Sequence, residues 1–228
     1  MKTTLMLCVA LMTAAVSKAQ EVKIEFFTPS IVHVVKGEPT KTLVVTASAE
    51  DVTVTHGANS WSSRELTVRQ DARGNLTFLT ASGKVLLREK SCQVDKVQQV
   101  FTLDKDEAIY GLGTIQNGKM NRRGEKKRME QSNLEDFQNV LQSIKGWGIY
   151  WENYSPTLFE DNADGMAFTS EAGKGIDYYF MYGGAPGATT QGGADGVIGL
   201  MRHLTGNVPL FPLWTYGYWK SKERYKTA

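Results

Sequence analysis

The stretch Leu66-Thr-Val-Arg-Gln-Asp-Ala-Arg-Gly-Asn-Leu-Thr-Phe-Leu79 contains two short runs in which apolar and polar residues alternate. Alternation with a period of two, together with β-branched and aromatic residues, is typical of β-strands. Between the two runs, Ala72-Arg-Gly-Asn75 is rich in residues that favour turns. This stretch therefore predicts two strands joined by a turn.

Similar runs recur about every ten residues through the first half of the chain. They lie at 22–26, 42–46, 52–55 and 85–87, and turn-forming residues at 36–39, 56–60 and 81–84 separate them. We predict further strands at 148–152, 166–169 and 176–182. Short strands at regular spacing imply an antiparallel sandwich or barrel, so the predicted fold class is all-β.

The middle of the chain, residues 117–143, is polar and has little regular apolar spacing. It predicts a long loop with one short helix near 134–141, and a loop of this length inside a compact domain favours a functional role. The charge run 122–128 contains one interleaved Glu and no aromatic residue for base stacking. We therefore interpret that run as a solvated part of the loop.

A Gly-rich stretch at 183–196 precedes a segment with the spacing of an amphipathic helix. Val197, Leu200, Met201 and Leu204 would lie on one face of this helix. Gly206 is a residue type that commonly ends helices. We predict a helix over 197–204 that packs through this face.

The first nineteen residues have the three-part layout of a secretory signal. Lys2 precedes the apolar run 5–16, and Ser17-Lys-Ala19 provides a small-residue cleavage site. The apolar run is too short to cross roughly 30 Å of hydrocarbon as a helix. We expect cleavage after Ala19, a periplasmic or secreted protein, and no membrane span.

Cysteine content and charge exclude several classes of protein. Cys8 lies in the signal, so Cys92 remains alone and no intrachain disulfide or Cys-rich metal site is expected. The chain has 26 basic and 24 acidic residues, and two of the basic ones, Lys2 and Lys18, lie in the signal. A balanced surface disfavours nucleic acid as a partner and leaves neutral ligands such as sugars open.

Near the end of the chain, Val208-Pro-Leu-Phe-Pro-Leu-Trp-Thr-Tyr-Gly-Tyr-Trp-Lys-Ser-Lys-Glu-Arg-Tyr225 is strongly apolar and aromatic. Little of the chain follows this segment for its apolar side chains to pack against. We therefore expect that another domain begins here.

Three segments, at 107–124, 176–183 and 209–225, together make the sequence resemble glycoside hydrolase family 31, the α-glucosidase and α-xylosidase group, and especially its secreted bacterial α-xylosidase-like members. Glu107-Ala-Ile-Tyr-Gly-Leu-Gly113, followed by Asn121-Arg-Arg-Gly124, resembles a strand and loop of the family. Ile176-Asp-Tyr-Tyr-Phe-Met-Tyr-Gly183 resembles its last sandwich strand. The segment from Pro209 to Tyr225 resembles the opening of its catalytic barrel. Thr114 departs from the pattern, since many relatives have Glu at this place.

After the predicted signal peptide at 1–19, the resemblance implies a galactose-mutarotase-like antiparallel β-sandwich at 20–207 and the truncated first strand of a (β/α)8 barrel at 208–228. It also implies a retaining, exo-acting α-xylosidase or α-glucosidase that uses two carboxylates about 5 to 5.5 Å apart. A barrel needs 200 residues or more, so neither catalytic carboxylate is expected in this chain. The sandwich would pack against the missing barrel, and its long loop would shape the rim of the sugar pocket.

Three residues near the expected barrel strand are candidates for substrate binding. Trp219 would stack on a sugar ring or pack in the barrel core. Glu223 and Arg224 would follow the first strand, where groups on the catalytic face of such barrels lie. The alternative for these two residues is that they are solvated charges at a strand end.

No cofactor and no metal are expected. The stretch 111–116 lacks the third glycine of a dinucleotide fingerprint, and 161–165 lacks the spacing of a calcium loop. His33, His56 and His203 are scattered, without acidic or cysteine neighbours at ligand spacing.

Two other functions stay open. One is a non-catalytic sandwich that binds carbohydrate. The weaker one is a mutarotase, which would need a His and a carboxylate paired in one cleft.

Overall fold

The computed structural model describes residues 21–185, 187 and 192–219, and there the chain forms fifteen strands and one α-helix. The predicted signal at 1–19, Glu223 and Arg224 lie outside the described residues. In chain order the elements are β1 (Val22–Thr28), β2 (Ile31–Gly37), β3 (Thr55–Gly57), β4 (Ser60–Ser62), β5 (Leu66–Gln70), β6 (Leu76–Thr80), β7 (Val85–Gln93), β8 (Gln98–Thr102), β9 (Ile109–Gly111), β10 (Lys126–Met129), β11 (Val140–Ser143), β12 (Trp147–Trp151), β13 (Thr157–Asn162), β14 (Gly165–Ser170), β15 (Gly175–Tyr182) and α1 (Ala194–Thr205).

These strands form two antiparallel sheets. One has the spatial order β1-β2-β15-β12-β11-β9, and the other has the order β10-β13-β14-β8-β7-β6-β5-β4-β3. The strands β5 and β6 pair in register from Leu66 opposite Thr80 to Gln70 opposite Leu76, as the alternating stretch predicts. The predicted all-β, antiparallel class is confirmed.

Strand β15 shows why part of the sequence is continuously apolar and does not alternate. Its residues Ile176, Tyr178 and Phe180 belong to the main core between the sheets, while Tyr179 and Met181 belong to a second cluster on the outer face of the six-stranded sheet. Because successive side chains of a strand point to opposite faces, a strand covered on both faces buries successive side chains, and in β15 these are apolar except for Asp177. The six-stranded sheet is therefore the central layer of the molecule.

Helix α1 covers part of that outer face and confirms the predicted helix. Val197 and Leu204 are buried in the outer cluster, and Leu200 and Met201 pack against it half-buried. The helix ends at Gly206, whose N–H donates to the carbonyl of Arg202. In the part of the chain that the structure describes, α-helical segments are too short or too polar to span a bilayer.

The predicted strand at 42–46 is wrong, and of the strand predicted at 52–55 only Thr55 is in a strand, as the first residue of β3. Residues 38–50, which we call the covering segment, lie over the outer face of the six-stranded sheet without strand pairing. Val44 and Val45 pack against the outer cluster, and the N–H groups of Thr46 and Ala47 donate to the carbonyl of Leu204 at the end of α1. The apolar pattern correctly predicted that part of this segment is buried. Its backbone N–H groups at positions 46 and 47, however, bond to the end of α1 and not to a strand.

The predicted helix near 134–141 is also wrong. The side-chain amide of Gln131 donates to the carbonyl of Phe137 at 2.9 Å and accepts from its N–H at 2.9 Å. These bonds engage the backbone groups of Phe137 that a helix would pair within itself. From Val140 the chain enters β11.

Candidate functional site: the crossing loop and the aromatic segment

The long loop predicted in the middle of the chain runs between the edges of the two sheets. It leaves β9 at the edge of the six-stranded sheet, passes through β10 at the edge of the nine-stranded sheet, and returns to β11. We call residues 112–139 the crossing loop. Leu112, Ile115, Met129 and Phe137 anchor it in the main core, so most of the loop is a fixed part of the fold.

Glu107, the first residue of the family-like motif, organises the base of this loop. Its carboxylate accepts hydrogen bonds from the indole Nε1 of Trp147 at 2.8 Å, the hydroxyl of Ser143, and the N–H of Asp104 at 3.1 Å. Its Oε2 also lies 2.9 Å from the ammonium of Lys145. Burial alone would lower the pKa of Lys145, but its bonds to Asp104 and Glu107 hold that pKa above the ordinary value.

The motif Asn121-Arg-Arg-Gly124 closes the loop onto β13. The Asn121 side-chain oxygen accepts from the N–H groups of Ile109 and Arg123, each at 3.2 Å. The Asp161 carboxylate accepts from Arg123 Nε at 2.8 Å and from the N–H of Gly124 at 2.7 Å. The motif therefore fixes the path of the backbone.

The interpretation of 122–128 as a solvated loop is wrong for most of that run. Arg122 is buried and donates from Nε to the carbonyl of Gly111 at 3.2 Å, and the guanidinium of Arg123 also binds the carbonyls of Asp104 and Glu107. From position 126 the chain is strand β10. Sequence reasoning missed these partners because they lie in other elements of the fold.

A shallow cleft of about 520 Å³ lies beside this motif, between residues 105–108, 121, 123–124 and 161–162. Glu107 and Asp161, both buried, contribute to it, and both already hold hydrogen-bonded cations. A nucleophile and an acid/base for glycoside cleavage must face the same bond from a shared pocket. Because each of these two carboxylates is already bound to a cation of the fold, they are poor candidates for such a pair.

Residues 208–219, which we call the aromatic segment, expose most of their apolar surface. Trp214 is 72 % exposed, Tyr218 90 % and Leu213 90 %. The other exposed apolar residues of the segment are Val208, Leu210, Phe211, Tyr216 and Trp219. A monomeric protein rarely exposes a contiguous apolar surface of this kind unless it is a site of interaction.

Trp219 is the one predicted substrate-binding residue within the described range. Its indole Nε1 donates to the carbonyl of Thr215 at 2.6 Å, and its ring centroid lies 6.5 Å from that of Trp214. One 3₁₀ turn, Leu213–Tyr216, is present in 208–219, so the expected first barrel strand is not seen there and stays a prediction.

Two of the three histidines, His33 and His203, have acidic neighbours in space, contrary to their scattered positions in the sequence. His33 Nε2 lies 2.7 Å from Asp177 Oδ1, and its ring stacks on Tyr179 with centroids 4.2 Å apart. The second oxygen of Asp177 accepts from the N–H of Thr40 at 2.8 Å, beneath the covering segment. This pair is satisfied within the fold, which disfavours the mutarotase alternative.

A metal centre is not indicated by the geometry. Among the described residues, no group of three His, Cys, Asp or Glu side chains is placed to hold a metal ion.

Comparison with known proteins identifies the family to which this architecture belongs. Residues 12–160 match the model of the glycosyl hydrolase 31 N-terminal galactose mutarotase-like domain. The chain belongs to glycosyl hydrolase family 31. The family-like motifs around Glu107 and Asn121 lie within the matched range, so in this family-31 domain they form the base of the crossing loop.

Two curated relatives and one solved structure illustrate the similarity. The chain is 33 % identical over 202 residues to an alpha-xylosidase of Saccharolobus solfataricus, covering 85 % of this chain and 26 % of the relative. It is 28 % identical over 141 residues to alpha-glucosidase 2 of Bacillus thermoamyloliquefaciens, covering 55 % and 17 %. A GH31 alpha-xylosidase from a soil metagenome, solved with xylose, superposes with a TM-score of 0.75 at 21 % identity, covering 92 % and 36 %.

The chain therefore spans about a quarter of the length of the Saccharolobus relative. What the family-31 assignment establishes is the sandwich domain and its homology to α-xylosidases and α-glucosidases. At the departure from the family pattern, Thr114 is exposed at the start of the crossing loop, and its N–H donates to the carbonyl of Asp136 at 2.7 Å.

Proposed function

We propose that this chain is the sandwich portion of a retaining, exo-acting α-glycoside hydrolase that acts on terminal α-xylosyl or α-glucosyl residues. The observation that carries the proposal is the 33 % identity to an alpha-xylosidase across 85 % of the chain. The second relative, an alpha-glucosidase, supports the same class of bond and leaves xylose and glucose as the two candidate sugars.

In this proposal the chemistry belongs to a (β/α)8 domain that begins at residue 208, after a sandwich domain at 20–207. Retaining cleavage needs two carboxylates about 5 to 5.5 Å apart across the scissile bond, held by rigid strand ends. The buried carboxylates at the base of the crossing loop are bound to Lys145 and Arg123, which makes them poor candidates. The catalytic pair is therefore assigned to the barrel.

The aromatic segment would open that domain and be covered by the rest of it, which accounts for its exposed Leu213 and Trp214. The crossing loop would border the sugar pocket, and its two exposed apolar side chains, Met120 (79 % exposed) and Leu134 (71 % exposed), are its candidate contacts with the barrel. Trp219 would stack on the sugar or pack in the barrel. Glu223 and Arg224 would line the pocket.

We propose export through the signal at 1–19, with the mature protein in the periplasm or outside the cell. Substrates there would be sugar chains carrying terminal α-linked xylose or glucose. The balanced charge of the chain fits a neutral substrate.

Turnover of aryl α-glycosides tests the proposal. The 228-residue chain, incubated with 4-nitrophenyl α-xyloside or α-glucoside, should release no nitrophenol above the buffer rate. The complete product of the gene should cleave at least one of the two. Hydrolysis by the 228-residue chain alone, abolished by replacing one of its own carboxylates, would refute the assignment of the chemistry to a barrel domain.

A further inference from the structure

A second cleft, of about 290 Å³, lies at the beginning of the covering segment. Three pieces of chain form it: residues 38–40 of the covering segment, residues 153–155 after β12, and the turn 172–174 between β14 and β15. Its size is at the lower end of the range for small-molecule sites. A ligand that fits here is about as large as one sugar ring.

Tyr154 lines this cleft and is held in place by its hydroxyl group. The hydroxyl donates to Oε1 of Glu152 and accepts from the N–H of Leu43 at 2.7 Å. Glu152 is itself buried and also accepts from the hydroxyl of Thr42 at 3.2 Å. Because the hydroxyl is engaged on the protein side, the ring is fixed while the residue stays 45 % exposed.

The carboxylate of Glu152, which holds Tyr154, is buried and hydrogen-bonded. Burial raises the pKa of Glu152, and its bonds from Tyr154 and Thr42 oppose that rise. The same bonds tie the covering segment to the loop after β12. The geometry of the cleft wall therefore depends on hydrogen bonds and does not depend on a flexible loop.

The floor of the cleft is equally well ordered. Asn153 Nδ2 donates to the carbonyl of Ala172 at 2.8 Å, and Asn153 Oδ1 accepts from the N–H of Ser155 at 2.9 Å. The Ser155 hydroxyl joins the same two loops, because it donates to Asn153 Oδ1 at 2.7 Å and to the carbonyl of Ala172 at 3.1 Å. A preformed cleft binds a ligand without the cost of ordering its own loops.

The rim of the cleft carries one positive and one negative group. Lys174 Nζ lies 3.2 Å from Glu38 Oε2, with side chains 77 % and 68 % exposed. Their charges cancel, so the cleft has no preference for an ionic ligand. The two groups nevertheless offer donors and acceptors to hydroxyl groups, and the Thr40 hydroxyl beside them has no hydrogen-bond partner among the described residues.

A fixed aromatic ring, an adjacent proline, and a rim that has hydrogen-bonding groups but no net charge match the chemistry of a pyranose, which has an apolar C–H face and polar hydroxyl edges. We propose that the cleft between Pro39, Tyr154 and Lys174 binds one neutral pyranose ring of a carbohydrate. The Tyr154 ring contacts the C–H face of the sugar. Lys174, Glu38 and Thr40 bind its hydroxyl groups.

Titration of the ¹⁵N-labelled 228-residue chain by NMR tests this proposal, with methyl α-xyloside and methyl α-glucoside as probes and glycerol as the polyol control. At least one sugar should cause saturable shifts of the amides in 38–40, 153–155 and 172–174, with a Kd on the order of millimolar. Glycerol at equal concentration should not cause them.

Variants separate a sugar contact from a change of fold. Tyr154→Ala should weaken binding about tenfold or more, whereas Tyr154→Phe, which keeps the ring but removes the hydroxyl bonds that hold it, should weaken binding clearly less than Tyr154→Ala does. Lys174→Ala should weaken binding several-fold without altering the spectrum of β2 and β15, and the exposed lysine outside the cleft gives the matched control Lys84→Ala, which should change nothing.

Two results would overturn the proposal. One is the absence of saturable shifts in the cleft with either sugar. The other is a set of shifts confined to 208–219, since sugar binding would then belong to the aromatic segment. Neither result depends on whether the complete gene product cleaves glycosides, so the cleft and the proposed hydrolase activity fail separately.

Discussion

Replacing Glu89 with Gln is expected to lower the free energy of unfolding by about 3 to 5 kcal/mol. Glu89 Oε2 lies 2.6 Å from the ammonium of Lys36, and both side chains are fully buried. The carboxylate also accepts from the N–H of Leu76 at 2.6 Å and from the hydroxyl of Tyr178 at 2.7 Å, while Lys36 donates to Gln99 at 3.2 Å. A neutral Gln would leave the Lys36 charge buried without its counter-charge.

Urea unfolding followed by circular dichroism measures this loss. The matched control is Glu65→Gln, because Glu65 and Arg64 form a 3.7 Å ion pair with side chains 48 % and 80 % exposed. The control should change stability by less than about 1 kcal/mol. Replacing both buried partners with apolar residues, Lys36→Met with Glu89→Leu, should recover part of the loss. Equal, small losses for Glu89→Gln and Glu65→Gln would contradict a stabilising role for the buried pair.

Gly113→Ala is expected to be the most damaging single change in the crossing loop, with a loss of about 3 to 5 kcal/mol. Gly113 has φ of +82°, and a Cβ there would lie 2.1 Å from the carbonyl oxygen of Asp136 and 2.8 Å from the N–H nitrogen of Gln138. Both neighbours are backbone atoms, so the clash cannot be relieved by a change of side-chain rotamer. The base of the loop would have to move.

Gly118→Ala provides the control within the same loop. Gly118 has a similar φ of +72°, but a Cβ there meets no atom within 4 Å. This variant should lose only the conformational contribution, about 1 to 2 kcal/mol. Thermal and urea unfolding of both variants isolates the close approach at Gly113. If Gly113→Ala and Gly118→Ala lower the free energy of unfolding equally, the contact between residues 113 and 136 does not constrain the loop.

Local periodicity predicted the elements whose burial follows their own sequence. The alternation of Leu66 and Val68 and the spacing of Val197 and Leu204 each correspond to one buried face in the structure. The covering segment shows the limit of this reasoning. Val44 and Val45 do face an apolar cluster, but no alternation specifies whether the backbone of such a segment pairs with a strand or with a helix end.

The polar interior lay beyond sequence reasoning for a different reason. Lys36 follows two core valines in β2, and nothing near it in the chain indicates that its partner is Glu89, 53 residues away. His33 and Asp177 are separated by 144 residues. The first pair joins β2 and β7, which belong to different sheets, and the second joins the paired strands β2 and β15. Both therefore depend on the complete arrangement of the strands.

Resemblance contributed what periodicity did not. The motifs beginning at Glu107 and Asn121 indicated the family, and the structure adds that these residues fix the base of the crossing loop through side-chain bonds to backbone and core groups. The cleft at Tyr154 had no signal in the sequence, because its walls come from three distant parts of the chain. The sugar-pocket role of Trp219, Glu223 and Arg224 stays a prediction.

Hydrogen exchange of the 228-residue chain tests most directly the claim that the aromatic segment is a surface for another domain and not a part of the sandwich. Exchange protection follows the local free energy of opening. We expect amides in 208–219 to exchange at nearly unfolded rates, while β2 and β15 keep the protection of the global fold. Protection in 208–219 equal to that of β15 would show the segment packed into the sandwich itself, and would contradict the account.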